Sequence, residues 1–146
     1  MSNQPRVSKL PAVHWPKGIR QHGKLTNQPA HLIDIMPTCA TLAGATAPTA
    51  EGRSLVPGFE GGTVQRTDAL YWEHEGNRAV RDGKWKLVSK YPGKWELFDI
   101  DADRTEMNDL AAMEPEIASR LSGMYDTWAG RVGAEDWTKV QQTRPL

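Results

Sequence analysis

The chain has 146 residues, in which 18 Lys and Arg balance 18 Asp and Glu, so its formal net charge is zero. That balance, with no basic block and no basic amphipathic helix, excludes a general nucleic-acid or anionic-membrane partner. No apolar run reaches the roughly 18 residues of a membrane-spanning helix, and the opening MSNQPRVSKLPAVHW lacks the apolar stretch of a secretory signal. Leu, Ile, Val and Phe together make only 26 of the 146 residues. The six tryptophans partly make up this thin core, because each aromatic buries a large area. The result is a chain that folds locally and leans on a larger neighbour. Its single cysteine cannot form an internal disulfide, and its four scattered histidines do not build a zinc site.

Residues 1–10 are polar and read as unstructured. Leu10–Trp15 (LPAVHW) is a short strand candidate stopped by Pro16, which has no N–H to donate to a ladder. A loop with Gly18 and Gly23 follows, in which Lys17, Arg20, His22 and Lys24 make a small basic group. His31–Leu42 is helical: Leu32, Ile35, Met36, Cys39 and Leu42 recur near a 3.6 period. Pro37 requires either a separate first turn or a helix proper beginning near it, with Asp34 or Met36 at the boundary. Gly44 suits the stop. Ala45–Asp68 is rich in Gly, Pro, Thr and Ala and reads as a long loop, with a helical turn near Ser54–Val56.

Four strands are predicted next, at Ala69–His74, Arg78–Arg81, Trp85–Ser89 and Trp95–Phe98. The turns between them hold Gly76-Asn77, Asp82-Gly83 and Pro92-Gly93, and Asp-Gly between alternating runs is a strong hairpin signal. Glu114–Val132 is a helix with Pro115 in its first turn and one stripe of Ile117, Leu121, Met124, Tyr125 and Trp128. The tail after Gly133 carries no clear signal.

Five groups of residues could carry chemistry. Asp99, Asp101 and Asp103 match the first three ligand positions of a calcium loop, but Arg104 replaces its glycine and Leu110 its final Glu. Short acidic residues ending a strand and capping a turn are the expected reading. Glu73, His74 and Glu75 are adjacent acid and base groups. On a strand, however, the two carboxylates point one way and His74 the other, so they do not converge. Cys39 lies in the helical stripe and reads as a small core residue rather than a nucleophile beside His31. His14, on the first strand candidate, reads as structural. Arg81, Lys84, Lys86 and Trp85 surround one hairpin; ordinary alternation puts Trp85 and Leu87 inward and the lysines outward.

Three ordered segments covering about residues 10–132 resemble sulfatases of the alkaline-phosphatase-like superfamily. VHWPKGIRQHGKLTNQPAHLIDIMPTCATLAGA is similar to the family's Trp-Pro, loop and Ile-Asp-x-x-Pro-Thr helix ending in Gly. LYWEHEGNRAVRDGKWKLV resembles its Ala-Val-Arg-x-Gly-x-Trp-Lys-Leu hairpin. ELFDIDADRTEMNDLA is similar to its Leu-Tyr-Asp strand followed by an acidic turn. The resemblance implies a sulfuric ester hydrolase that uses formylglycine and calcium in the full-length protein, often exported or periplasmic. It implies neither group here. Cys39 is followed by Ala40-Thr41-Leu42 rather than the Pro and Arg of the nucleophile motif, and the paired aspartates and the later Asp-Asn pair have no counterpart. SNQPRVSKL replaces the segment expected before the Trp-Pro, so the chain is expected to start downstream of the chemistry. Glu73, His74 and Asn77 are the candidate substrate contacts; no catalytic residue and no metal ligand is assigned.

The expectation is thus an α+β chain. Residues 1–68 would be the end of a catalytic domain, an N-terminal strand-loop-helix remnant of an α/β fold. Residues 69–146 would be a four-stranded antiparallel sheet with a C-terminal helix packed on it. A sulfate ester would be the partner only with the missing catalytic portion present. The competing reading is a stand-alone binder of a sulfated glycan or protein. A third, complementation by a separately encoded N-terminal half, requires exposed apolar surface on Leu32–Leu42 and on the sheet.

Overall fold

In the computed structural model, residues 13–20 and 23–143 are described. They fall into two compact units, one within 13–67 and one within 68–143. Residues 1–10, Leu10–Ala12 of the first strand candidate, and His22 lie outside the described residues. Val13, His14 and Trp15 are exposed and belong to no strand. This corrects the strand reading and the structural role given to His14: a short apolar run becomes a strand only with a ladder partner, and none is found among the described residues.

The second unit is a meander. β1 (Leu70–His74), β2 (Asn77–Asp82), β3 (Trp85–Ser89) and β4 (Trp95–Asp99) pair antiparallel in chain order. Two connections are one residue away from their sequence-based positions. His74 pairs with Asn77, so Glu75 and Gly76 are the loop of the first hairpin, with φ of 52° and 77°. Both values suit the mirror-image turns that match strand twist. Asp82 pairs with Trp85, leaving Gly83, at φ 59°, and Lys84 in the second loop. The first shift has a visible cause. The Glu73 carboxylate accepts the Gly76 N–H at 2.9 Å, and the Asn77 amide donates to the His74 carbonyl at 2.8 Å.

Alternation assigns Tyr71, Glu73, Arg78, Val80, Trp85, Leu87, Ser89, Trp95 and Leu97 to one face by the cross-strand register. That face receives the long helix α3, whose Leu121 and Tyr125 join Val80, Leu87 and Leu97 in the buried core. Ile117, Met124 and Trp128 pack at its edge, so the predicted helical stripe is the buried one. Tyr71 stacks on Trp128 at 5.0 Å, and Trp95 meets Tyr125 edge-on at 5.4 Å. Leu70, Val88 and Phe98 are buried on the opposite face. α3 spans Pro115–Val132 and ends at Gly133 with φ 70°, the usual left-handed cap.

The other unit contains a single 3-10 turn, Leu32–Asp34, then α1 (Ile35–Leu42) and the short α2 (Val56–Phe59). The separate first turn resolves the Pro37 question. Asp34 is the boundary, and Pro37 lies in the first turn of α1, where a missing N–H leaves no bond unmade. α1 is turned against its own periodicity: Asp34, Pro37 and Thr38 are buried, while Leu32, Ile35, Met36, Cys39 and Leu42 are exposed. Cys39 is thus corrected from core to surface. A further helix, α4 (Trp137–Thr143), follows α3. Its sequence signal was Asp136, whose carboxylate accepts the Thr138 N–H at 2.8 Å in the manner of an N-cap.

Candidate functional site

In the sheet unit, a cleft of about 340 Å³ opens where the first and third hairpin loops meet the end of α3 and the start of α4. Its lining includes Glu73, Arg78, Tyr91, Tyr125, Asp126 and Trp137. Arg78 lies 4.5 Å above the Trp95 ring and donates to Ser89 Oγ at 3.3 Å. Stacking of this kind holds a guanidinium flat and in place. Burial, reinforced by the Glu73 charge, pushes the Tyr125 phenol up to about 12, so it remains a neutral hydroxyl at physiological pH. The cleft offers carboxylates, a fixed guanidinium and aromatic walls, which suit hydroxyl or charged groups of a small ligand. Ser89 Oγ donates to the Gly93 carbonyl at 2.9 Å, and no histidine lines the cleft with it, so it lacks the base that a serine nucleophile needs.

The three candidate contacts are separated by the pleat. Glu73 lines the cleft and, through its bond to Gly76, closes the first turn. His74 is exposed on the opposite face. The Asn77 amide is committed to the backbone. It donates to the His74 carbonyl and accepts the Tyr91 N–H at 3.2 Å, tying the first hairpin to the third. Glu75 sits in the turn rather than on the strand, at positive φ. That conformation is uncommon for a residue with a Cβ.

The acidic run from Asp99 is a set of backbone caps. Asp99 accepts from Asp101 and Ala102 N–H, and Asp103 accepts from Thr105, Met107 and Asn108 N–H. A hydrogen bond from Lys84 holds the Asp99 carboxyl below its ordinary range. Backbone N–H groups, Asn108 first, do the same for Asp103. Burial raises Asp109, but N–H donors from Ala111 and Leu97 outweigh it, and the net shift is downward. Among the described residues no group of three or more His, Cys, Asp and Glu is placed to hold a metal ion. The basic hairpin is equally committed. Lys84 bonds Asp99 at 2.7 Å, Lys86 pairs with the buried Glu106, and Arg81 donates to the Gly83 carbonyl at 3.1 Å.

In the other unit, Asp34 is a polar hub. Its carboxylate accepts the N–H of His31 and Arg53, each at 2.8 Å, and both of its oxygens lie 2.6 Å from Arg66 Nη2. Thr38 Oγ1 accepts the Leu55 N–H at 2.9 Å and donates to the Asp34 carbonyl at 2.6 Å. The loop 53–66 is thereby clasped to one side of α1. Burial lowers the His31 pKa against the opposing pull of Asp34.

Comparison with known proteins places this geometry. The family model described as "N-sulphoglucosamine sulphohydrolase, C-terminal" matches residues 6–124. The chain belongs to this family. The Choline-sulfatase of Rhizobium meliloti (strain 1021) is 37% identical to this sulfatase C-terminal portion over 93 residues, covering 57% of the chain and 18% of the relative. An uncharacterized sulfatase of Schizosaccharomyces pombe is 32% identical over 124 residues, covering 72% and 22%. The crystal structure of Ps i-CgsB superposes with a TM-score of 0.67 at 26% identity, covering 80% of this chain and 27% of that one. The chain therefore spans about a fifth of the length of the curated relatives it matches. The α+β architecture and the order of its parts are those of a sulfatase C-terminal portion.

Proposed function

We propose that this chain is the supporting C-terminal part of a sulfuric ester hydrolase and becomes active only with the catalytic portion that its relatives carry elsewhere in their length. The substrate is proposed at the level of a sulfate ester, the ground shared by the two sulfatase relatives. The observation that carries the reading is the family match across residues 6–124, supported by a sheet and helix that are built without an acid, base and nucleophile in one place. Formylglycine and calcium are assigned to the catalytic portion. The described residues do not suit either: Cys39 lacks the Pro and Arg of the nucleophile motif, and Asp99 and Asp103 direct their oxygens to their own backbone.

Glu73, His74 and Asn77 are proposed to serve the substrate pocket through the first hairpin turn. His74 presents the exposed imidazole, while Glu73 and Asn77 fix the turn that carries it. The alternative of a stand-alone binding module using the basic hairpin is disfavoured, since Lys84, Lys86 and Arg81 are bonded within the chain. Incubating the purified chain with an aryl sulfate and calcium tests the reading, and no turnover is expected. Turnover by the chain alone would sink it. His74→Ala in an active sulfatase containing this chain should raise KM for the sulfate ester.

A further inference from the structure

We infer that the cleft between the first and third hairpin loops and the α3–α4 junction is a binding site for a small polyhydroxylated primary ammonium, held by the carboxylates of Glu73 and Asp126 and the hydroxyl of Tyr125. The inference does not rest on the hydrolase reading, because the charge that selects this ligand repels a sulfate ester. Every residue that lines the cleft belongs to the sheet unit.

Two observations carry it. The first is an imbalance of charge: Glu73, Asp126, Glu135 and Asp136 line the cleft against one cation, Arg78. Arg78 is engaged elsewhere, lying over Trp95 and donating to Ser89 Oγ. It sits opposite Glu73 across β1 and β2, yet among the described residues no ion pair joins it to any of the four carboxylates. Glu73 uses Oε1 for the Gly76 N–H and has a second oxygen to offer. The second observation is Tyr125. It is 3% exposed, it lines the cleft, and its hydroxyl has no hydrogen-bond partner among the described residues. Buried hydroxyls are normally satisfied, so one left open at a cleft wall is completed by what enters the cleft. Burial first, and the Glu73 charge second, keep its proton in place.

The chemistry of the lining selects among ligands. An anion meets four carboxylates and one committed guanidinium. A divalent metal ion requires several oxygens converging on one point, and among the described residues no three acidic, His or Cys groups are placed for that. A quaternary ammonium has no N–H, so it leaves carboxylate oxygens unpaired. A primary ammonium brings three donors, and a carboxylate accepting from one makes a charge-assisted bond. Hydroxyls on the same ligand meet the Tyr125 hydroxyl and the exposed rim carboxylates Glu135 and Asp136. The volume, about 340 Å³, lies at the small end of ligand sites and suits a molecule the size of one sugar unit.

The test titrates the full chain at neutral pH with glucamine, a sugar alcohol carrying one primary amine, and follows backbone amide and indole NMR signals. Saturable shifts of Gly76, Gly93 and the Trp137 indole are expected, with a Kd of about 1 mM for a ligand of this size. Sorbitol, with a hydroxyl in place of the amine, should bind about tenfold more weakly, and gluconate, with a carboxylate there, weaker still. Asp126→Asn should weaken glucamine about tenfold and Tyr125→Phe about fivefold. Asp126 is exposed and the Tyr125 hydroxyl bonds nothing in the described chain, so Tm should be unchanged in both; Glu135→Gln, also at an exposed position, is the further variant if either is destabilised. The inference is overturned if glucamine gives no saturable shift, or if sorbitol or gluconate binds as tightly. It is equally overturned by shifts confined to the Lys84–Lys86 hairpin, by wild-type affinity in the folded variants, or by displacement of glucamine by calcium at equal concentration. Turnover of an aryl sulfate by the chain bears on the hydrolase reading alone.

Discussion

Removing the Asp34 carboxylate should open the clasp that holds α1 polar-side-in. Asp34 is 0% exposed, and its partner Arg66 is 8% exposed. Asp34→Ala therefore leaves a buried guanidinium without its anion, a class of change that costs about 3–5 kcal/mol. The N–H groups of His31 and Arg53 lose their acceptor as well. Each is part-buried and regains some water, so these losses add less than the usual 1–3 kcal/mol apiece. A total of about 4–5 kcal/mol is expected, a large share of the roughly 5–15 kcal/mol that stabilises a typical domain. Hydrogen exchange on peptides covering 31–45 and 50–67 reads this directly: 4 kcal/mol corresponds to about a 1000-fold loss of protection. Asp34→Asn keeps one carbonyl acceptor at nearly the same volume and should lose less. A loss below about tenfold in Asp34→Ala would mean that water replaces the carboxylate at little cost, and the clasp would not be what orients the helix.

In the sheet unit, Leu87→Ala removes a side chain with 0% exposure and should lower stability by about 2–5 kcal/mol, measured by urea unfolding. Asn77→Ala frees the His74 carbonyl and the Tyr91 N–H; a loss of about 1 kcal/mol is expected, together with broadened NMR signals in the first and third loops. Glu75→Gly relieves a residue at φ 52°. Left-handed backbone costs an L residue about 1–2 kcal/mol, and glycine gives back roughly 0.5–1 in chain entropy, so a small rise in Tm should follow. The carboxyls of Asp99, Asp103 and Asp109 are all shifted down in the folded state. Their stabilisation is complete above the unfolded value near 3.9 and is lost as pH falls through the lower folded values. The loop 100–109 should therefore stay intact at neutral pH and loosen as pH falls below the ordinary carboxylate range, as the Met107 and Asn108 amide shifts would report.

The strands and α3 were legible because their signals are local and their burial is internal to the chain. Period-two runs bounded by Gly-containing turns, and a stripe ending at Gly133, specify both the elements and the faces that meet. The first turn slipped by one residue because its two-residue loop is fixed by side-chain bonds, from Glu73 and Asn77, that composition does not display. α4 was missed although Asp136-Trp137-Thr138 carries an N-cap. Its seven residues are too few for a period to stand out. The three proposed contacts do not form one constellation. Period two correctly placed Glu73 and His74 on opposite faces, yet nothing in the spacing announced that Asn77 would be absorbed by the turn.

The α1 stripe marks a different boundary of sequence reading. Periodicity at 3.6 residues states that one face of a helix avoids water; it does not state which molecule, or which part of one, provides the cover. Reading Cys39 as core assumed that the cover lay within these residues. The polar residues between the apolar ones held the opposite information. Asp34, Pro37 and Thr38 share a side, and a buried Asp needs an Arg and backbone donors, which loop 53–66 supplies. Once that polar side is satisfied within the chain, the apolar side has to face outward. The 3.6 period therefore located a face of the helix, and the satisfied polar clasp decided which face turned inward within this unit.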